Sequence, residues 1–161
     1  MPRKTYIAAI QAALAEEMRR DQQVLLIGED VRIGVFAGTR GLHAEFGDKR
    51  VIDTPISELG VAGAGIGAAA TGLRPVVDLM FGTFLYLAFD QIANQAASMR
   101  YMFGGQAKLP IVFMTQNGGG ISARKLPSCD CGIDQTSTAM DTPPCFTRCR
   151  PGLRGVVPGS A

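Results

Sequence analysis

Acidic side chains occur where the sequence predicts that buried strands end. Glu29 and Asp30 directly follow the apolar run Val24–Gly28, and Glu58 is the only charged residue between Asp53 and Arg74. A carboxyl group in an apolar setting is desolvated, which favours its protonated form and suits it to proton transfer near neutral pH. Glu58 is therefore the candidate for a catalytic acid, and Glu29 is expected near the same edge of the fold.

The turn Asp53-Thr54-Pro55 precedes a helix that begins near Glu58. Thr54 or Ser57 is a suitable N-cap, and Pro55 suits the first helical position. A structural role for Glu58 is the competing interpretation, because a glutamate in the first turn interacts favourably with the helix dipole.

Glycines at helical spacing characterise the stretch after Glu58. Gly60, Gly63 and Gly67 share one predicted helix face, and each glycine destabilises a helix by roughly 1 kcal/mol relative to alanine. We expect close contact with another backbone to offset this cost. Gly63-x-Gly65-x-x-Ala68 also imitates a dinucleotide fingerprint, but no apolar strand ends just before its first glycine.

Short apolar runs alternate with helical patterns along the chain, which predicts an α/β fold with a parallel sheet, right-handed crossovers and helices on both faces. In such sheets ligands bind beyond the carboxyl ends of the strands. We expect Glu29, the Glu58 turn, Phe84 and Asn117 to lie near that edge. The predicted helices are Tyr6–Arg20, Thr39–Phe46, the glycine-rich helix and Phe84–Met99, and the predicted strands are Val24–Gly28, Arg50–Asp53, Pro75–Phe81 and Pro110–Met114.

Composition narrows the class of protein. The chain has 161 residues, a net charge of +2 and 47% hydrophobic residues, which is enough for one sizeable core. The small net charge argues against nucleic-acid binding, and no apolar run is long enough to span a membrane. The N-terminus lacks the pattern of a secretory signal, so a cytoplasmic location is expected.

A series of motifs in fixed order is more specific than any single one. These are GED (28–30), DTPISE (53–58), GLRPV (72–76), FDQIANQAA (89–97), RYMFGGQ (100–106) and PIVF (110–113). The series resembles the beta subunit of the thiamine-diphosphate-dependent first component of 2-oxo acid dehydrogenase complexes, of the pyruvate, acetoin and branched-chain types. The resemblance implies a transketolase-like pyrimidine-binding domain over residues 1–123.

The resemblance also implies roles for residues of this chain. Glu58 would hydrogen-bond N1' of the cofactor's aminopyrimidine and promote the imino tautomer, whose nitrogen takes the proton from the thiazolium C2. Phe84 would lie against the pyrimidine ring and Glu29 near the cofactor pocket, whereas Asp90-Gln91 would mainly begin a helix. An ordinary core phenylalanine and a solvated strand-end acid are the alternatives for Phe84 and Glu29.

The chain lacks the GDG motif that holds the diphosphate and Mg²⁺ in proteins of this kind. The resemblance therefore implies that an alpha subunit supplies that half of the site and the metal ligands, in an alpha2-beta2 heterotetramer. Such an assembly would decarboxylate a small 2-oxo acid, pyruvate above all, or cleave acetoin. It would deliver the acyl group to a lipoyl-bearing acyltransferase.

The resemblance is lost over residues 124–150, which contain all 4 Cys, and returns over residues 151–161. A zinc site is disfavoured, because Cys129 and Cys131 are too close in sequence for a usual knuckle and the one histidine is His43. Disulfides are disfavoured in a cytosolic chain. Our preferred hypothesis is a local reading-frame slip. Thr136–Ala139 can be written with the codons ACC AGC ACA GCN, and these codons, read from the third base, encode the Gln-His-Ser that family members carry.

The sequence ends before the family's C-terminal domain. We expect residues 124–150 to pack poorly, and we expect the activity of the isolated chain to be doubtful. Two alternatives to an active subunit follow. One is a catalytically inactive fragment that only binds an alpha subunit. The other is a Rossmann-type dehydrogenase, which would bind NAD by itself.

Overall fold

The computed structural model describes residues 5–116. The parallel strands are β1 (Val24–Gly28), β2 (Val51–Asp53), β3 (Arg74–Phe81) and β4 (Val112–Gln116). The α-helices are α1 (Tyr6–Arg20), α2 (Leu42–Phe46), α3 (Glu58–Ala70) and α4 (Ala97–Met102), and between β3 and α4 lie a 3₁₀ segment (Gly82–Tyr86) and a π-helical segment (Asp90–Ala96).

The strands form one parallel sheet in the order β2-β1-β3-β4. Gly28 on β1 is in register with Asp53 on β2 and Asp78 on β3. The same row continues to Met114 on β4. Strands β1 and β2 therefore end at the same level of the sheet, whereas β3 continues beyond this level to Phe81.

Hydrophobic residues pack on both faces of the sheet, because successive side chains of a strand point to opposite faces. On one face Val24, Leu26 and Val51 pack with Met18 of α1 and Leu42 of α2. The second core contains Val77 and Leu79 of β3 with Val61 and Ala62 of α3, and Ile27, Leu85 and Ile92 pack against it. Helices thus cover both faces, which confirms the predicted α/β fold class.

Most predicted elements are confirmed with small changes of boundary. The bounds of α1 and β1 are as predicted, and β2 begins one residue later than expected, at Val51. Helix α2 begins at Leu42 instead of Thr39, because Gly41 has a left-handed backbone that interrupts a longer helix. Strand β4 begins at Val112 instead of Pro110, and proline lacks the N–H that a strand ladder uses.

The prediction of one continuous helix over Phe84–Met99 was wrong. The chain there forms the 3₁₀ segment, the π-helical segment and α4, and helical structure extends to Met102. These segments have different numbers of residues per turn, so α-helical spacing does not define one face. Ile92 packs against the core as expected, but Phe89 is 55% exposed.

Residues 124–150 and 151–161 lie outside the described part of the chain, as do Asn117 and all four cysteines, so the predictions made for them stay predictions. No helix among the described residues is both long and apolar enough to cross a membrane.

Candidate functional site

A small, open pocket lies at the carboxyl ends of β1 and β2, beside the last residues of β3. Carboxyl groups and apolar side chains line it together. The lining residues are Glu29, Thr54, Pro55, Ser57, Glu58, Val61, Asp78, Leu79 and Met80. The pocket therefore brings together the predicted acids Glu29 and Glu58, at the edge of the sheet where the sequence predicted a site.

Glu58 is the first residue of α3 and its side chain is partly buried in this pocket. The preceding Ser57 is the N-cap residue, but its side chain makes no capping hydrogen bond; its hydroxyl donates to the carbonyl oxygen of Pro55 at 3.3 Å. Pro55 lies outside the helix, so its predicted placement at the first helical position was wrong. Leu59, expected beside Glu58, is 50% exposed because it lies on the outer side of α3.

Glu29 lies across the pocket on the residue that follows β1. Its pKa is raised above the ordinary glutamate value, first by desolvation and then by the negative charges of Asp30 and Glu58. Asp30 has a left-handed backbone (φ 52°), which turns the chain directly after Glu29. The pocket therefore holds interacting carboxyl groups, and the protonated form of Glu29 is favoured.

Thr54 contributes a hydroxyl oxygen that is buried and has no hydrogen-bond partner among residues 5–116. Its backbone is fixed at the end of β2, where its N–H donates to the carbonyl oxygen of Gly28 at 3.0 Å. Buried polar atoms in proteins are normally hydrogen-bonded, since an unpaired one costs free energy. The Thr54 hydroxyl is therefore available to a polar group that enters the pocket.

Asp78 is an acid of the pocket that the sequence analysis missed. It lies inside β3 and is only 6% exposed, and burial raises its pKa although the Met80 N–H hydrogen bond opposes the rise. A charged residue inside an apolar run such as Val76–Met80 is uncommon in a buried strand. That single break in the run was the available signal.

The pocket has one acid at a helix N-terminus, an unpaired hydroxyl and apolar walls from Val61 and Leu79. This combination suits a flat heterocycle with polar nitrogens better than an anion, since the carboxyl groups would repel negative charge.

Comparison with protein families agrees with this geometry. The sequence pattern of the family described as "Transketolase, pyrimidine binding domain" matches residues 3–129. The chain belongs to this family. The predicted transketolase-like pyrimidine-binding domain is thereby confirmed, although the predicted boundary at residue 123 stays a prediction.

Several curated relatives of the pyrimidine-binding domain are beta subunits. A Bacillus subtilis "Acetoin:2,6-dichlorophenolindophenol oxidoreductase subunit beta" is 49% identical over 129 residues, covering 71% of this chain and 38% of that protein. A Rickettsia felis "Pyruvate dehydrogenase E1 component subunit beta" is 46% identical over 155 residues, covering 95% of this chain and 44% of that protein.

A Bacillus subtilis "2-oxoisovalerate dehydrogenase subunit beta" is 45% identical over 119 residues, covering 73% of this chain and 36% of that protein. The resemblance to beta subunits of the pyruvate, acetoin and branched-chain types is therefore confirmed. The chain spans less than half the length of these relatives.

Phe84 of the pyrimidine-binding domain does not line the pocket. Its ring packs edge-on against Phe81, with 5.5 Å between the ring centroids, and Phe81 packs edge-on against Phe36 at 5.1 Å. Phe84 therefore belongs to an aromatic row, Phe36–Phe81–Phe84, beside the carboxyl end of β3. Its predicted contact with a cofactor ring stays a prediction.

The glycine pattern of α3 does not form a dinucleotide-binding turn. Gly63 and Gly65 lie inside the helix, whereas the dinucleotide fingerprint needs glycines in the turn before a helix. Within residues 5–116 no backbone of another element lies against Gly60, Gly63 or Gly67, so the expected close backbone contact stays a prediction. A Cβ on Gly65 would lie 2.4 Å from Cγ2 of Val77, which is a side-chain contact with β3, and a Cβ on Gly67 would meet nothing within 4 Å.

Among residues 5–116, no three His, Cys, Asp or Glu side chains are arranged to hold a metal ion.

Proposed function

We propose that this pyrimidine-binding domain supplies the proton-transferring half of a thiamine-diphosphate site in a 2-oxo acid dehydrogenase. The observation that carries the proposal is Glu58, partly buried at the start of α3 and facing a pocket that also holds the unpaired Thr54 hydroxyl. Membership of the transketolase pyrimidine-binding family supports the assignment. The pyruvate, acetoin and 2-oxoisovalerate types among the relatives support a small 2-oxo acid, or acetoin, as substrate.

The residues of the pocket fit an aminopyrimidine ring. Val61 and Leu79 offer apolar surface to the ring, Glu58 offers a carboxyl group to a ring nitrogen, and the Thr54 hydroxyl accepts or donates one further hydrogen bond. When bound, thiamine diphosphate would supply the electron sink for decarboxylation. The work of this chain is to bind the ring, exclude water from one side and hold a proton at the Glu58 carboxyl.

Proton transfer by Glu58 requires that its carboxyl be held at a fixed place. Helix α3 fixes the backbone of Glu58, and Gly65 lets the same helix lie close against Val77 of β3. Glu29 adds a second carboxyl in the same pocket, and its pKa is raised first by desolvation and then by the charges of Asp30 and Glu58. We propose that Glu29 contacts the cofactor from within the pocket. We also propose that Phe84 contacts the cofactor from its place in the aromatic row.

The diphosphate and Mg²⁺ belong, in this proposal, to an alpha subunit in an alpha2-beta2 heterotetramer. The "subunit beta" names of the relatives support a partner of this kind. The outer face of α3 carries small residues without charge, and large apolar side chains are exposed on the described surface: Ile56, Leu59, Tyr101, Met102 and Phe103. Exposed apolar surface of this kind is typical of protein interfaces and supports the proposed partner.

Acyl transfer to a lipoyl-bearing acyltransferase and a cytoplasmic location complete the proposal, and both rest on the resemblance alone. The full-length relatives are longer than this chain. The competing function, which the resemblance leaves open, is a catalytically inactive fragment that only binds an alpha subunit.

A reconstitution experiment tests the proposal and separates it from the competing function. The chain would be mixed with an alpha subunit, thiamine diphosphate and Mg²⁺, and decarboxylation of pyruvate and of branched 2-oxo acids would be followed with an artificial electron acceptor. We expect turnover with the natural chain and a loss of about 10²–10⁴-fold with Glu58→Gln, the usual range for removal of an acid or base catalyst.

Glu16→Gln is the matched control, because Glu16 is an exposed glutamate on α1, away from the pocket. It should leave turnover unchanged. Assembly without turnover by the natural chain would support the inactive fragment. Full activity of Glu58→Gln would contradict the assignment of Glu58.

A further inference from the structure

We propose that Asp78 is a positioning residue that shapes the pocket through the backbone of β3 and also places the aromatic row. The inference rests on the proposed function, because it names a further residue of the same site. Asp78 does not need to touch the cofactor for this role. It acts through Met80 and Phe81.

Asp78 fixes an irregular turn of the backbone at the end of β3. Its Oδ1 accepts a hydrogen bond from the Met80 N–H at 2.9 Å, and Met80 has a left-handed backbone with φ 59°. A left-handed conformation is unfavourable for a residue with a side chain such as methionine. The hydrogen bond from Met80 to Asp78 stabilises this conformation, and the register of β3 against β4 shifts between Asp78 and Phe81.

The irregular turn determines what faces the pocket. Leu79 and Met80 lie inside this turn, and both line the pocket together with Glu58. Asp78 is itself held in place, because Gly28 of β1 lies against it: a Cβ on Gly28 would come within 2.5 Å of the Asp78 carbonyl oxygen. The carboxyl group therefore sits on a backbone that can move little.

The same turn places the aromatic row. Phe81 is the first residue after the shift in register, and its ring lies between those of Phe36 and Phe84. Regular strand geometry from Asp78 onwards would send Phe81 to the opposite face, because a one-residue change of register exchanges the faces. The position of Phe84 therefore depends on the turn that Asp78 stabilises.

The function of Asp78 in this view needs an acceptor oxygen and not a negative charge. Asparagine at position 78 keeps a side-chain oxygen that can accept from Met80 N–H, whereas alanine removes it. Glycine at position 80 adopts the left-handed backbone without a steric penalty. These properties give a set of variants: Asp78→Asn, Asp78→Ala, Met80→Gly and the double variant Asp78→Ala with Met80→Gly.

The first measurement uses the full chain alone. Amide hydrogen exchange should show a protected Met80 N–H in the natural chain and in Asp78→Asn, and at least about tenfold faster exchange in Asp78→Ala, because the acceptor is lost. Equal protection in Asp78→Ala would overturn the proposal, as would loss of protection in Asp78→Asn. Since Asp78→Asn keeps the acceptor, it answers the question even if Asp78→Ala does not fold.

The second measurement uses the chain assembled with an alpha subunit. Binding of thiamine diphosphate is measured by isothermal titration calorimetry before activity is assayed. We expect Asp78→Asn to bind nearly as well as the natural chain, and Asp78→Ala to lose about 10²-fold in kcat, the usual effect of a misplacement of about 1 Å. On the Met80→Gly background, Asp78→Ala should have little further effect, because glycine no longer needs the acceptor.

The outcomes separate this inference from the proposed function. If the natural assembly does not bind thiamine diphosphate, the proposed function fails. If it binds and Asp78→Ala binds and turns over equally well, the role of Asp78 is refuted while the function stands. Equal losses from Asp78→Ala on the natural and the Met80→Gly backgrounds would also refute it, since the effect would then not pass through Met80.

Discussion

The contact between α3 and β3 at Gly65 predicts an unusual response to an added methyl group. A Cβ on Gly65 would lie 2.4 Å from Cγ2 of Val77 and 3.2 Å from Cδ1 of Ile111. Val77 is fully buried and β-branched, so it has little freedom to change rotamer. Gly65→Ala must therefore push α3 away from the sheet or distort Val77.

The size of the effect follows from two opposing terms. Alanine in place of glycine stabilises a helix interior by about 1 kcal/mol, and overpacking a close contact costs about 1–3 kcal/mol. We expect Gly65→Ala to destabilise the chain by between about 0 and 2 kcal/mol. Gly67→Ala gains the same helix propensity in the same helix without a clash, because a Cβ there meets nothing within 4 Å. It should stabilise the chain by about 1 kcal/mol.

Urea unfolding of the full-length variants, followed by far-ultraviolet circular dichroism, measures this difference. The two variants should differ by about 1–3 kcal/mol in free energy of unfolding, which is about 1 M in urea midpoint for a protein of this size. Val77→Ala should relieve Gly65→Ala, so the double variant should be more stable than the sum of the single effects predicts. Equal stabilisation by Gly65→Ala and Gly67→Ala would refute the close packing of α3 on β3.

Three further predictions test the interface and the acids. Gly67→Ala should weaken assembly with an alpha subunit while it stabilises the isolated chain, if the outer face of α3 is covered by the partner; unchanged assembly would place the interface elsewhere. Burial raises the folded-state pKa of Asp78 above 3.8. The free energy of unfolding of the natural chain, relative to that of Asp78→Asn, should therefore be greatest below about pH 3.8 and should fall as the pH rises through the raised pKa. Urea unfolding at several pH values measures this difference. Glu58→Gln should lower the pKa of Glu29, because the charge of Glu58 contributes to its rise; carbon-detected NMR titration would show the change, and an unaltered Glu29 pKa would contradict the interaction.

The sequence predicted those elements whose apolar pattern is regular. Helix α1 and strand β1 have the predicted bounds, because each combines a clear periodicity with a polar boundary. Glu58 was identifiable as the single charge in a long neutral stretch, and the structure places it at the pocket. Its catalytic role remains a prediction.

The backbone conformation of the region after β3 could not be predicted from the sequence, for a physical reason. The left-handed backbone of Met80 and the π-helical turn from Asp90 are local departures from the periodic geometry on which pattern analysis depends. Glycine or asparagine would have signalled the left-handed position, but methionine gives no such signal. The aromatic row and the exposure of Phe89 follow from these departures.

The row Asp53–Gly28–Asp78 shows how backbone geometry decides which acids meet in the pocket. Its two acids lie on either side of Gly28 and are both engaged by backbone N–H groups, Asp53 by Arg32 at 2.8 Å and Asp78 by Met80 at 2.9 Å. Acids held in this way act on the chain that surrounds them. Glu29 directly follows β1 and Glu58 begins α3, and within residues 5–116 no backbone N–H donates to either carboxyl. Asp78 thus shapes the pocket in the role that we propose for it, whereas Glu58 carries the proposed proton transfer.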